Sequence, residues 1–160
     1  MKERLNHIFG VACRCEELAR EAGACEEFCR QMFLLGWLHD IGYRYGDNVS
    51  HAGLGSSILE QSGPGNTGGY RFSEEIRLHG YPEDSYERNH DARGYKLPKP
   101  FRSAALNILN KADITTGPDG EPVSPQQRLD MVAGKYGKDS IQYLNMYKIC
   151  KELRILQNDA

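Results

Sequence analysis

The sequence lacks the features that mark several protein classes. No apolar run approaches the ~20 residues that a membrane-spanning helix needs, so no membrane partner is expected. The opening MKERLNHIFGVACRCEELAR is charged and helical in pattern. It has neither the uninterrupted apolar stretch nor the small-residue cleavage site of a signal peptide, and a cytoplasmic location is expected. Charge of one sign is also missing: 20 basic residues face 22 acidic ones, for a net charge of -2. A polymeric nucleic acid is therefore not an expected partner. Runs of alternating β-branched residues are absent, which argues against strands. Internal repeats and low-complexity tracts are absent as well.

Cysteine is present in a number that cannot pair completely within one chain, five. Reduced thiols are the cytosolic default. Cys13, Cys15, Cys25 and Cys29 cluster in sequence, which raises a four-thiolate zinc site. Cys13 and Cys15 lie two apart on an expected helix and so point to different faces. Small buried hydrophobes are the better reading. The glycine-rich SGPGNTGGYR lacks the GK[ST] ending that gives a phosphate-binding loop its lysine and metal-binding hydroxyl, so it reads as a flexible loop.

What remains is helical. The 160 residues suit one domain, 1–160, with enough apolar content for a core. Leu5, Ile8, Ala12, Cys15, Leu18, Ala19 and Ala22 form one apolar stripe, stopped at Gly23. From Glu26 to about His39, Phe28, Met32, Leu35 and Leu38 form the next. Phe33, Leu34 and Trp37 add apolar character on other sides, which predicts a central helix. Ser50 can cap a helix from His51 to about Gln61, and Ser73 one that runs to about His79. Residues 80–100 read as a long irregular excursion. There Tyr81, Tyr86 and Tyr95 alternate with Arg88, Arg93, Lys96 and Lys99, which suits either base stacking with phosphate contact or a solvated segment packed by its own tyrosines. A helix from about Phe101 to Ile114 follows. GPDGEPV is turn chemistry, and Ser124, Pro125 and Gln127 form a helix start. Asp139 and Gln142 repeat that signal for the last helix, whose buried side is Ile141, Leu144, Cys150, Leu153 and Leu156. The expected fold is all-α, six to seven helices, with a metal-site core over about 4–115 and C-terminal helices over about 125–158.

The chain has five histidines. His7, His39, His51 and His79 fall at expected helix faces or ends, whereas His90 lies in a polar loop and reads as solvated. Asp40 follows His39. Neighbours on a straight helix differ by ~100° in direction, so this pair can share one ion only where the backbone turns out of the helix, as Gly42 would permit. His7 and Asp113 would come from packed neighbouring helices. Two imidazoles and two carboxylates suit Fe, Mn, Co, Ni or Zn better than Ca or Mg.

GWLHDIGYRYG, with His7 before it and Asp113 in NILNKADI after it, resembles the ordered H…HD…D signature of the HD superfamily of metal-dependent phosphohydrolases. The resemblance covers residues 4–115. It implies a compact HD-domain helical bundle with His7, His39, Asp40 and Asp113 as ligands of one ion. His51 and His79 resemble the extra ligands of binuclear members, in which the Asp of the pair bridges two metals. Bacterial hydrolases of dinucleoside tetraphosphates share that arrangement. One or two divalent transition-metal ions are thus implied, iron first. The implied activity is hydrolysis of a phosphoanhydride or phosphate ester of a nucleotide, a small phosphorylated molecule, by attack of a metal-bound hydroxide. Arg44 and Lys111, followed by Arg77, are the expected phosphate contacts, and Asp47 is a candidate for proton transfer. Many members read HDIGK, whereas this chain has Tyr43 in the lysine's place and Arg44 after it. Two alternatives stand beside it: an HD-fold di-iron oxygenase, whose ligand set overlaps with this one, and a non-catalytic nucleotide-binding regulatory module, against which the six retained ligands count.

Overall fold

The computed structural model describes residues 2–45, 51–62, 72–88 and 103–156. Ser50, Asp47, His90, Phe101, the loop 63–71 and residues 89–100 of the excursion lie outside these. The described residues form seven α-helices and no strand. The helices are α1 (Lys2–Glu21), α2 (Glu26–Leu38), α3 (His51–Ser62), α4 (Ser73–Leu78), α5 (Ala104–Ile114), α6 (Pro125–Tyr136) and α7 (Ile141–Glu152). Short 3-10 turns occupy Ile41–Arg44 and Glu83–Arg88. A single isolated bridge, Thr116 to Pro122, closes the GPDGEPV turn. Among the described residues no helix is long and apolar enough to cross a membrane.

Two cores hold the helices. In the first, Val11, Cys15, Leu18 and Ala19 of α1 meet Cys29, Met32 and Leu35 of α2, with Leu59, Ile76, Leu109 and Ala112 from α3, α4 and α5. The second joins Ile114 at the end of α5 to Leu129 of α6 and to Ile149 and Cys150 of α7. Helix α5 contributes to both, so one rigid element ties the two halves together.

Several sequence expectations are corrected. Leu5 is exposed, and the buried stripe of α1 begins at Val11. Helix α2 is not central: Leu34 and Trp37 face outward, and Phe9, Phe33 and Trp37 pack edge-on or stacked on the surface. Ser73 is the first residue of α4 rather than its cap, and the Phe72 preceding it makes no side-chain cap bond. Helix α5 starts at Ala104, because Ser103 Oγ accepts from Leu106 N–H and sets the boundary there. Ser140, not Asp139, caps α7, accepting from Tyr143 N–H. Ile141 and Leu144 of α7 are exposed, and its buried side is Ile149 and Cys150. The capping box of Ser124 and Gln127 forms as expected, with Pro125 in the first turn. Cys15, Cys29 and Cys150 are buried free thiols, whereas Cys13 and Cys25 are exposed. No cysteine belongs to a potential metal group among the described residues.

Candidate metal centre

Helix α2 ends at Leu38 with His39 as its cap, still in helical geometry (φ -56, ψ -36), and Asp40 leaves the helix (φ -100, ψ 12). The backbone turn that the adjacent pair requires lies between the two side chains. Gly42 serves a different purpose from the expected bend. A Cβ there would lie 1.8 Å from the His51 carbonyl oxygen, so glycine lets the start of α3 press against the turn. That contact brings His51 to the cluster.

Three imidazoles are oriented alike. His7 Nδ1 donates to the Gly117 carbonyl (3.0 Å), His39 Nδ1 to Gly36 (2.6 Å) and His79 Nδ1 to Ile76 (2.6 Å). A carbonyl only accepts, so each Nδ1 carries a proton and each ring turns its Nε2 towards the cluster. Metal-ligating histidines are ordinarily fixed in this way. His39 Nε2 is buried and has no hydrogen-bond partner. A buried polar nitrogen left unpaired is costly, and a cation would satisfy it.

Asp40 Oδ1 faces these nitrogens, at 3.4 Å from His39 Nε2 and 3.8 Å from both His51 Nε2 and His79 Nε2. Two groups of donor atoms lie close enough together to hold an ion: His7, His39 and Asp40, and Asp40, His51 and His79. Asp40 belongs to both. Asp113 stands beside the first group, with Oδ1 3.1 Å from His7 Nε2. Five of the six expected ligands thus fall into the two groups, and the sixth touches one of their members. Nitrogen and carboxylate donors in this mixture fit a divalent transition metal.

The charges agree. Burial opposes ionisation of Asp40, but His39 and His79 outweigh it and hold the carboxyl well below the usual range. Burial opposes ionisation of Asp113 too, and its bond to His7 reverses the balance. Burial pushes His39 down, towards the neutral ring; it acts the same way on His7 and His79, but Asp113 and Asp40 outweigh it and leave those two raised. Both carboxylates are therefore anions at neutral pH, in a setting that attracts a dication.

Residues that sequence reasoning missed complete the site. Arg4 donates to Asp40 Oδ2 at 2.8 Å, and its guanidinium lies 3.6 Å over the Tyr43 ring. Tyr43 in turn stacks on His51 at 4.0 Å. A tyrosine in the lysine's place thus braces one histidine and seats a cation beside the cluster. Burial, then the nearby Asp40, pushes the Tyr43 hydroxyl up to about 12, so it stays a donor. A cavity of about 510 Å³ opens from the cluster, and Arg4, Asn110, Arg128 and Lys135 are among the residues that line it.

The expected phosphate contacts lie elsewhere. Arg44 is exposed and Lys111 half-buried, and neither lines the cavity. Lys111 is two residues from Asp113, ~200° around the helix, so the two side chains leave α5 on opposite faces. Arg77 pairs with Glu74 on the outside of α4. Asp47 is outside the described residues.

Comparison with known proteins agrees with this geometry. A sequence model described as the HD domain matches residues 4–156. No curated protein and no solved structure gives a significant match.

Proposed function

The chain belongs to the HD-domain family and is a metal-dependent phosphohydrolase, and on that premise we propose that it hydrolyses a phosphoanhydride or phosphate ester of a nucleotide. His7, His39, Asp40 and Asp113 would hold one ion, and Asp40, His51 and His79 a second, with Asp40 between them. Iron is our first choice among Fe, Mn, Co, Ni and Zn. Such ions supply Lewis acidity to phosphoryl oxygens and make water a nucleophile at neutral pH. The protein's own residues do the rest. The carbonyls of Gly117, Gly36 and Ile76 orient the three rings towards the cluster. Arg4 and Arg128, on either side of the cluster, orient the phosphate and balance its charge. Arg128 Nη2 already lies 3.9 Å from Asp113 Oδ1. One compact domain in the cytoplasm, where its five free thiols stay reduced, completes the reading.

The single observation behind this reading is Asp40 Oδ1 facing three imidazole nitrogens, two of them on rings tied to backbone carbonyls. The experiment is a phosphate-release screen over nucleotides, with metal analysis of the same preparation. Release from at least one nucleotide, and its loss in His39→Ala and Asp40→Ala with helical circular dichroism retained, is the expected result. Full activity in both variants, or dioxygen uptake with no phosphate from any ester, would overturn it.

A further inference from the structure

Helices α6 and α7 each turn a stripe toward the cavity that supplies none of the metal ligands. On α6 it includes Arg128, Met131 and Tyr136, and on α7 Gln142, Asn145 and Met146. An apolar stripe at this spacing ordinarily packs into a core. Here it is partly exposed: Met131 is 42% exposed, the neighbouring Ile141 59% and Tyr136 36%, with Lys135 Nζ 5.0 Å over the Tyr136 ring. Ile114 and Ile149 of the second core also line the cavity and supply an apolar floor. At its inner end, beside Asp113, Asn110 Nδ2 and Arg128 Nε are buried without a hydrogen-bond partner. Unmet buried polar atoms on a cavity wall point to a ligand that meets them.

We propose that the α6–α7 stripe is a nucleobase subsite: the phosphate end of a nucleoside phosphate lies at the His/Asp cluster against Arg128, and the base packs on Met131, Tyr136 and Met146 with the Gln142 and Asn145 amides at its edge. This rests on the nucleotide reading above and assigns the residues that would read the base. Thioethers and a tyrosine ring favour a flat, polarisable partner. Side-chain amides offer a donor and an acceptor together, which matches the edge of a base. A bare sugar phosphate would leave the apolar floor uncovered, and an acyl chain would leave the amides unpaired. The cavity volume, about 510 Å³, falls within the ~300–1,000 Å³ of small-molecule sites.

The test uses the metal-loaded protein. Unphosphorylated nucleosides are titrated against it, since they bind without turnover, and kcat/KM is measured for nucleoside monophosphates and for ribose 5-phosphate. At least one nucleoside is expected to bind. Met131→Glu should weaken that binding about tenfold and lower the preference for nucleotide over ribose 5-phosphate by a similar factor. Gln142→Ala should change the ranking of the bases. Met131 is exposed enough for Glu to be tolerated, and circular dichroism checks the fold. An unchanged preference in Met131→Glu, or no nucleoside binding, overturns the subsite. Phosphate release from other esters without nucleoside binding also overturns it, but leaves the role of the cluster standing. Met131-dependent nucleoside binding with no phosphate from any nucleotide supports the subsite and counts against the nucleotide hydrolysis proposed above.

Discussion

The cavity has two unlike halves. On the side built by α1–α5, the ligand side chains are held in place: three imidazoles donate to backbone carbonyls, and Asp40 accepts from Arg4. On the side built by α6 and α7, apolar side chains such as Met131 and Ile141 stand partly exposed. The contrast follows from what each half has to do. Holding an ion needs ligands fixed within ~0.5 Å. Accepting an organic group needs surface that is covered only when the group arrives. Substitutions in the first half should therefore remove activity, and those in the second should redistribute it.

The largest effect is expected at Asp40, which both ligand groups share. Asp40→Ala should lower phosphate release by more than about 1,000-fold, and metal analysis should show both ions lost. A smaller loss with one ion retained would mean that Asp40 serves a single site. His51→Ala comes next. His51 belongs only to the second group, so metal content should fall from about two ions per chain to about one, with partial loss of activity.

This part of the site was legible in the sequence because its residue types are scarce. With five histidines in the chain, an HD pair with three more in ordered positions around it carries information. The cations were not legible. Arginine and lysine are common on solvated helix faces, and their direction depends on packing that no local pattern encodes. Arg4 and Arg128 line the cavity, whereas Arg44 and Lys111, nearer in sequence to the ligands, do not. A face-by-face count on α5 offered one usable signal: Asn110, Asp113 and Ile114 share a stripe that excludes Lys111. The fold was read well where propensity and capping agree, as at Ser124. It was misread where amphipathic faces were taken to be buried. Ile141 and Leu144 look like core in the sequence, yet both are exposed, and Ile141 lines the cavity instead.

A third prediction separates these cations. Arg128→Ala should raise KM about tenfold or more, the scale of one lost charge-assisted contact to phosphate. Arg44→Ala should change it by less than about twofold, since Arg44 is exposed and away from the cavity. Steady-state kinetics on the best nucleotide reads both. The reverse order would return the phosphate contact to the residue beside the HD pair.

The smallest effects test rigidity itself, through the same change in each half. A Cβ at Gly36 would lie 2.7 Å from the Ala12 Cα, so α1 and α2 touch backbone to backbone there. Gly36→Ala should therefore cost about 1–3 kcal/mol, the scale of overpacking a filled core. Because the Gly36 carbonyl accepts from His39 Nδ1, some metal affinity should be lost with it. At Gly134, inside α6, a Cβ meets nothing within 4 Å. Gly134→Ala should stabilise the protein by about 0.5–1 kcal/mol, since alanine keeps the helix and gives up less backbone freedom. Thermal melts of the metal-loaded protein measure both. Opposite signs would place the close packing around the ligands and leave slack beside the α6–α7 stripe. If Gly134→Ala destabilised instead, α6 would be held as tightly as the metal side, and the two halves would not differ in the way the cavity suggests.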